Sequence, residues 1–101
     1  MKDEKIDEIK IRLEGLKPFL REKFEVKSIG IFGSYVRGQQ KKGSDLDILV
    51  EFEDSDKLSL LDFIRLENYL SEELGIKVDL VEKNTLKKRI GKKILEEVII
   101  I

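Results

Sequence analysis

The stretch from Asp45 to Val81 constrains the fold more than any other part of the sequence, because it predicts a strand, a helix and another strand. Asp45 to Phe52 is almost continuously apolar after its first carboxylate, which is typical of a buried strand. Ser59 to Leu74 carries apolar residues at helical spacing, and Ile76 to Val81 is again a short apolar run. Strands joined through a long helix normally lie parallel, with a right-handed crossover. The sequence therefore predicts an α/β fold with a parallel strand pair.

The residues before this unit predict two helices and one more strand. Asp3 is a candidate cap for a first helix, and Pro18 interrupts the helical pattern where a second helix can begin. Val26 to Phe32 predicts a strand that returns through the polar loop 38–44, so it is expected to lie antiparallel to the next strand. The prediction for residues 1–101 is one domain: a small mixed three-stranded sheet flanked by helices, which cover mainly one face.

Three predictions concern the second half of the chain. The helix that Ser59 caps is expected to end at Gly75 and to bury Leu61, Ile64, Tyr69, Leu70 and Leu74. A last helix is expected from Leu86 to about Val98, weakened by Gly91, with Ile90, Ile94 and Leu95 facing inward. The apolar tail from Val98 to Ile101 allows two interpretations, namely a final strand or helix end packed on the core, or a contact surface for a partner.

Composition excludes several kinds of chemistry. The charges of the 20 basic and 21 acidic residues nearly cancel. The chain thus lacks the basic excess that would indicate direct nucleic-acid binding. The chain has no Cys and no His, which rules out thiolate zinc sites and histidine bases. Carboxylates, hydroxyls, Lys and Arg must supply any reaction. With no signal-peptide pattern and no long apolar run, we expect a cytoplasmic protein without membrane association.

Two carboxylates on one predicted strand are candidate metal ligands. Side chains alternate along a strand, so Asp45 and Asp47 point to the same face, about 7 Å apart along the backbone. Like charges this close repel one another unless a cation lies between them. Carboxylate oxygens without His or Cys nearby suit Mg²⁺ or Mn²⁺. Taken alone, such a pair more often marks a strand end or a solvated edge.

Asp79 is a third candidate, because it lies in the middle of a short apolar strand. A buried carboxylate is costly unless it is paired or binds a cation. If its strand is parallel to the strand of Asp47 and next to it, Asp79 reaches the same site. Pairing of Asp79 with Lys77 or Lys83 is the alternative.

Gly33 and Ser34 follow an apolar strand and precede a short polar segment. A glycine at this point lets the backbone approach a phosphate closely, and Ser34 offers a hydroxyl together with N–H groups at a helix start. By itself, a Gly-Ser turn is an ordinary strand exit, and Arg37 an ordinary surface cation. The spacing to the carboxylates distinguishes this turn from others.

Gly33-Ser34, ten intervening residues and Asp45-Leu46-Asp47 resemble the signature of the polymerase-β-like nucleotidyltransferase superfamily. The fuller string, from Gly33 to Gly38 and from Ser44 to Val50, is similar to the minimal nucleotidyltransferases (MNT), the antitoxins of HEPN–MNT toxin–antitoxin pairs. The match is specific across residues 29–52 and looser over nearly the whole chain.

This resemblance implies a role for each candidate residue. The Gly33-Ser34 turn would hold the triphosphate of ATP, and Asp45 and Asp47 would ligate Mg²⁺. Asp79 would complete a second metal site, with Mn²⁺ as a possible substitute ion, and help to deprotonate an incoming hydroxyl. Arg37 would interact with the negative charge of the phosphates.

The resemblance also implies an activity, which is transfer of AMP from ATP to a tyrosine of a partner HEPN RNase toxin. Two alternatives stay open at this stage. One is an antitoxin that neutralises the toxin by binding alone, and the other is nucleotidyl transfer to a small molecule or to RNA. Tyr35 lies within the motif, but nothing in the sequence indicates that it is modified.

Overall fold

The computed structural model describes residues 2–41, 43–54, 58–85 and 96–101. Its elements along the chain are α1 (Lys2–Phe24), β1 (Val26–Phe32), α2 (Ser34–Arg37), β2 (Leu46–Phe52), α3 (Leu60–Leu74), β3 (Val78–Glu82) and β4 (Ile99–Ile100). The predicted strands are thus present, with β2 and β3 beginning one and two residues later than expected. Most of the predicted last helix, including Ile90, Gly91, Ile94 and Leu95, lies outside the described residues.

The strands form one mixed sheet in the order β3-β2-β1-β4. β1 is antiparallel to β2, and β2 is parallel to β3, as the sequence predicts. The expected number of three strands is wrong, because β4 adds a fourth, antiparallel to β1. Ile101 extends this pairing by donating its N–H to the Ile29 carbonyl at 3.0 Å. The apolar tail therefore forms a final strand, the first of its two interpretations.

α1 is one continuous helix that contains Pro18, so the predicted break is wrong. It begins at Lys2, which places Asp3 inside the helix and not at its cap. A proline in a helix interior removes a hydrogen bond and costs about 3 kcal/mol. Ile9 and Leu13 before it and Leu20 after it are all buried in the core. Packing on both sides of the proline holds the two halves in line.

α3 has the predicted ends. The Ser59 hydroxyl accepts a hydrogen bond from the Asp62 N–H at 3.1 Å, and Gly75 ends the helix in the left-handed conformation. Its buried face is only partly as predicted, since Leu70 and Leu74 are buried and Tyr69 half-buried, whereas Leu61 and Ile64 are exposed. The buried stripe repeats every four residues from Leu66. Leu66 was not among the residues predicted to be buried.

The helices cover one face of the sheet, and its other face carries the candidate acids. The core-facing side chains of β2 are buried beneath α1 and α3; they are Leu46, Ile48, Val50 and Phe52. On the opposite face Asp47 alternates with Leu49, which joins a small apolar cluster with Phe32, Val81 and Val98. None of the described helices is both long and apolar enough to cross a bilayer.

Substitution of two glycines by alanine tests how tightly the segment that contains β4 packs against β1. A Cβ added at Gly30 would lie 2.6 Å from Val98 Cγ1 and 3.0 Å from the Ile99 carbonyl oxygen, whereas one at Gly15 would meet nothing within 4 Å. We expect Gly30→Ala to lower the free energy of unfolding by about 1–3 kcal/mol, because β4 must move. Gly15→Ala, the matched control in α1, should raise it by ~0.5–1 kcal/mol. Urea denaturation measures both, and equal effects would contradict this account of β4.

Candidate active site

The turn between β1 and α2 lies directly against Asp47. Gly33 adopts φ 82° and ψ −151°, a conformation that side-chain-bearing residues rarely tolerate. Phe32 and Asp47 are paired across β1 and β2, which brings the turn over the carboxylate. A Cβ added at Gly33 would collide with the Asp47 carboxylate group. Glycine is therefore required here for both backbone conformation and space.

Ser34 begins the single turn of α2. The Gly33 carbonyl accepts hydrogen bonds from the N–H groups of Val36 and Arg37, both at 3.1 Å. The turn ends at Gly38, which is left-handed, and the Gln39 N–H bonds to the Ser34 carbonyl at 2.8 Å. The half-buried Ser34 is thus held at the start of a fixed helical turn beside Asp47.

Asp47 is the centre of the acidic cluster. It pairs in register with Asp79 across the parallel strands β2 and β3. The Leu46 N–H donates to the Lys77 carbonyl at 2.8 Å, which fixes the start of β2 just after Asp45. The pKa of Asp47 is raised from 3.8 to about 6. Partial burial is the largest cause, followed by the negative charge of Asp79 and then that of Asp45.

Asp79 is exposed, so the expectation of a buried carboxylate is wrong. β3 is an edge strand, and its outward-facing side chain at this position meets solvent. Of the two lysines considered as partners, Lys83 lies 3.7 Å from Glu51 instead. Contact with Asp47 is what connects Asp79 to the site, since a hydrogen bond between their side chains adds to the rise in the pKa of Asp47.

The carboxylates fit a divalent cation chemically, although they do not form a closed ligand set. In the part of the chain that the structure describes, no group of three or more Asp, Glu, His or Cys side chains is arranged to hold a metal ion. Asp47 nevertheless carries a raised pKa, because it is partly buried and because Asp79 and Asp45 repel its charge. A divalent cation relieves such repulsion, and hard oxygen ligands suit Mg²⁺. Metal binding by the three acids stays a prediction.

Arg37 acts on Asp47 through its charge, but its hydrogen bonds are made to other residues. Its positive charge lowers the pKa of Asp47, opposing the acidic neighbours. Its guanidinium donates to Glu97 Oε2 at 3.0 Å and to Gln39 Oε1 at 3.1 Å. A phosphate contact would have to share or replace these partners. Glu97 was not predicted as a partner of Arg37, because a pairing across 60 residues leaves no local pattern in the sequence.

Tyr35, the only hydroxyl-bearing aromatic residue in the motif, is buried in the core. Burial raises the pKa of its phenol, and the charge of Asp45 raises it further. A buried, protonated phenol is poorly placed as an acceptor. The structure thus gives Tyr35 a packing role.

An open groove of about 510 Å³ begins at Asp79. Leu80 of β3 forms part of it, and Leu60 and Phe63 of α3 form the opposite side. This groove was not predicted, because it depends on how α3 lies along β3. Apolar side chains thus line part of the groove that leads to the exposed carboxylate of Asp79.

Comparisons with known proteins place this sequence and fold in a family. The profile of the nucleotidyltransferase domain family matches residues 13–101. Protein adenylyltransferase MntA of Thermococcus cleftensis is 53% identical over 94 residues, 93% of each chain. A solved protein inferred to be a minimal nucleotidyltransferase superposes with a TM-score of 0.74 at 34% identity, covering 92% of both chains. A toxin–antitoxin crystal structure with AMP-PNP superposes with a TM-score of 0.67 at 25% identity, covering 99% of this chain and 72% of the other.

The raised pKa of Asp47 predicts a pH-dependent gain in stability on its removal. Between pH 3.8 and about 6 the folded protein binds more protons at Asp47 than the unfolded chain does. Stability therefore falls as pH rises through this window, and the loss is complete above it. With chelator present, Asp47→Asn should stabilise the protein by on the order of 1 kcal/mol near pH 8, allowing for solvent screening of this half-exposed group.

Urea denaturation at several pH values measures the effect. The gain should vanish below pH 3.8, where Asp47 is protonated in both states. Glu72→Gln, which removes an exposed charge from α3, is the control. A variant that is less stable than wild type at every pH would contradict the repulsion described for Asp47.

Proposed function

Because this chain belongs to the nucleotidyltransferase domain family, we propose that it transfers AMP from ATP to a hydroxyl group of a partner toxin and so acts as an antitoxin. The observation that carries the proposal is the placement of the Gly33 turn against Asp47, with Asp45 and Asp79 beside it. A phosphate-approach turn and a repelling acidic cluster at one point are what nucleotidyl transfer with a cation requires.

ATP is the proposed nucleotide. The Gly33-Ser34 turn would receive its triphosphate, because the first N–H groups of a helix lack intrahelical partners and favour anions. The absence of a side chain at Gly33 lets the turn lie in contact with the Asp47 carboxylate, so a phosphate bound by the turn would lie next to this acid. Arg37 would contribute positive charge after exchanging its contact with Glu97. A similar antitoxin complex with AMP-PNP supports an adenine nucleotide triphosphate.

Asp45, Asp47 and Asp79 are the residues that would hold Mg²⁺, as two ions, with Mn²⁺ as an alternative. When bound, the ions supply positive charge that stabilises the attacking and leaving oxygens of the displacement. The donor set fits, since it offers carboxylate oxygens only and places the charges of Asp79 and Asp45 near Asp47.

The proposed reaction is a displacement at the α-phosphorus of ATP. The acceptor oxygen forms a new bond to that phosphorus, the bond to the β-phosphate oxygen breaks, and pyrophosphate leaves. Asp79 would take the hydroxyl proton, because it is exposed at the mouth of the groove while Asp47 is partly covered. In a chain without histidine, a carboxylate can serve as this base.

The proposed acceptor is a tyrosine of a HEPN-type toxin. The relative from Thermococcus cleftensis is a protein adenylyltransferase, and the neighbour with AMP-PNP is a toxin–antitoxin complex. The resemblance over residues 29–52 adds the HEPN partner. Neutralisation by binding alone is the second candidate, which the exposed apolar residues of α3 favour.

The first test concerns the cation. Mg²⁺ together with ATP should raise the melting temperature of the wild type, because a ligand that binds only the folded state stabilises it. Asp47→Asn should abolish this gain while the variant stays folded, as circular dichroism would show. Glu72→Gln is again the control and should keep the full gain. An equal gain in the Asp47 variant would refute its role as a ligand.

The second test concerns the transfer itself, measured by intact-mass spectrometry of the toxin. With ATP and Mg²⁺ the toxin should gain the mass of one or more AMP units. Asp45→Ala or Asp47→Ala should slow the transfer by orders of magnitude, since each ~1.4 kcal/mol lost from transition-state stabilisation lowers a rate about tenfold. Ser34→Ala should have a smaller effect, because backbone N–H groups still bind phosphate.

The same experiment separates the two candidate functions. A toxin that is neutralised equally by wild type and by Asp47→Ala, and modified by neither, would establish neutralisation by binding. Loss of both modification and neutralisation in the variant would establish the enzyme.

A further inference from the structure

The first turns of α3 expose an apolar face that the core does not use. Leu60, Leu61 and Ile64 are 75%, 64% and 42% exposed. Single exposed apolar residues are common on protein surfaces, but three within five positions of one helix form a patch. The buried stripe of α3 is anchored farther along, by Leu66, Leu70 and Leu74, so the exposed patch is not needed to hold the helix in place.

This patch is continuous with the reacting end of the site. Leu60 belongs both to the patch and to the groove that begins at Asp79. Phe63 and Leu80 contribute apolar surface to the groove beside its polar groups. A surface lying on the patch can thus place a side chain in the groove, with its end at the Asp79 carboxylate.

The charge of the groove indicates what kind of surface this is. Its described lining contains two carboxylates, Asp79 and Glu82, and no basic side chain. A polyanionic acceptor such as RNA would be repelled here, and no aromatic platform of several rings is present among these lining residues to stack its bases. A neutral side chain carried on an apolar protein surface meets neither obstacle.

We propose that the patch of Leu60, Leu61 and Ile64, together with the groove to Asp79, is the docking surface for the protein that accepts AMP. This inference rests on the proposed function and adds where the acceptor binds and what chemistry it presents: a hydroxyl-bearing side chain on an apolar, neutral or basic surface. The side chain enters the groove, its oxygen bonds to the α-phosphorus of ATP, its proton passes to Asp79, and pyrophosphate leaves on the opposite side.

The test uses Leu61→Glu and Ile64→Glu, since both side chains are exposed and their loss leaves the core intact. Ile11→Glu is the matched control, because Ile11 is 69% exposed on α1 and outside the patch. The probe is the purified HEPN-type toxin with ATP and Mg²⁺. We expect each patch variant to raise the KM for the toxin ~10-fold or more, as truncation of an interface anchor does. The kcat and the affinity for ATP should not change.

The outcomes separate this proposal from the proposed function. If wild type does not modify the toxin at all, AMP transfer fails, and calorimetry of toxin binding then tests the surface alone. Weaker binding by the patch variants with unaltered Ile11→Glu supports the surface in either case. Equal KM and equal affinity in all four proteins, or no complex with wild type, would overturn it. Modification of an RNA oligonucleotide in place of the toxin would overturn it as well.

A second copy of the chain is the remaining possible occupant of the patch. Sedimentation of the isolated protein measures this. A wild-type dimer that Leu61→Glu dissociates, without any change in the KM for the toxin, would assign the patch to self-association and refute the proposal.

Discussion

The close contact between the Gly33 turn and Asp47 is the constraint on which the site depends. It is set by antiparallel pairing of β1 with β2, which places Phe32 opposite Asp47 and so carries the next residue over the carboxylate. Any side chain at Gly33 would collide with that carboxylate and would also strain a backbone with φ of 82°. The turn proposed to bind phosphate and the acid proposed to bind a cation are thus positioned by one strand pair.

The parallel pair β2–β3 then creates the electrostatic character of the site. Its register sets Asp79 directly beside Asp47, and Asp45 adds a third negative charge nearby. The resulting repulsion, on top of partial burial, raises the pKa of Asp47 to about 6 and so opposes folding at neutral pH. The apolar cores on both faces of the sheet hold this arrangement together. The acidic cluster therefore lowers the stability of the fold at the point where the proposed cation would bind.

The sequence predicts those parts that rest on local pattern or fixed spacing. Alternation along β2, the crossover to β3 and the glycine-serine turn, which ten residues separate from Asp45, are all visible in the chain. What it misses depends on distant contacts. Pro18 stays helical because buried residues on both sides fix the helix, and the two-residue β4 is too short to show periodicity. Asp47 and Asp79 are brought into contact, but among the described residues the three acids form no metal-binding group, so their binding of a cation is still a prediction.

The acids differ in exposure, and the proposed function gives them different roles. Asp47 is partly buried and lies beside the other acids, so under the proposed function it would need a bound cation to stabilise its charge. Asp79 lies on an edge strand, is open to solvent and borders a groove, and under the proposed function it would accept the proton of the incoming group. Apolar clusters on both faces of this small sheet hold the turn and the acids in place, and under the proposed function the acceptor protein would supply the wall on the open side of the groove.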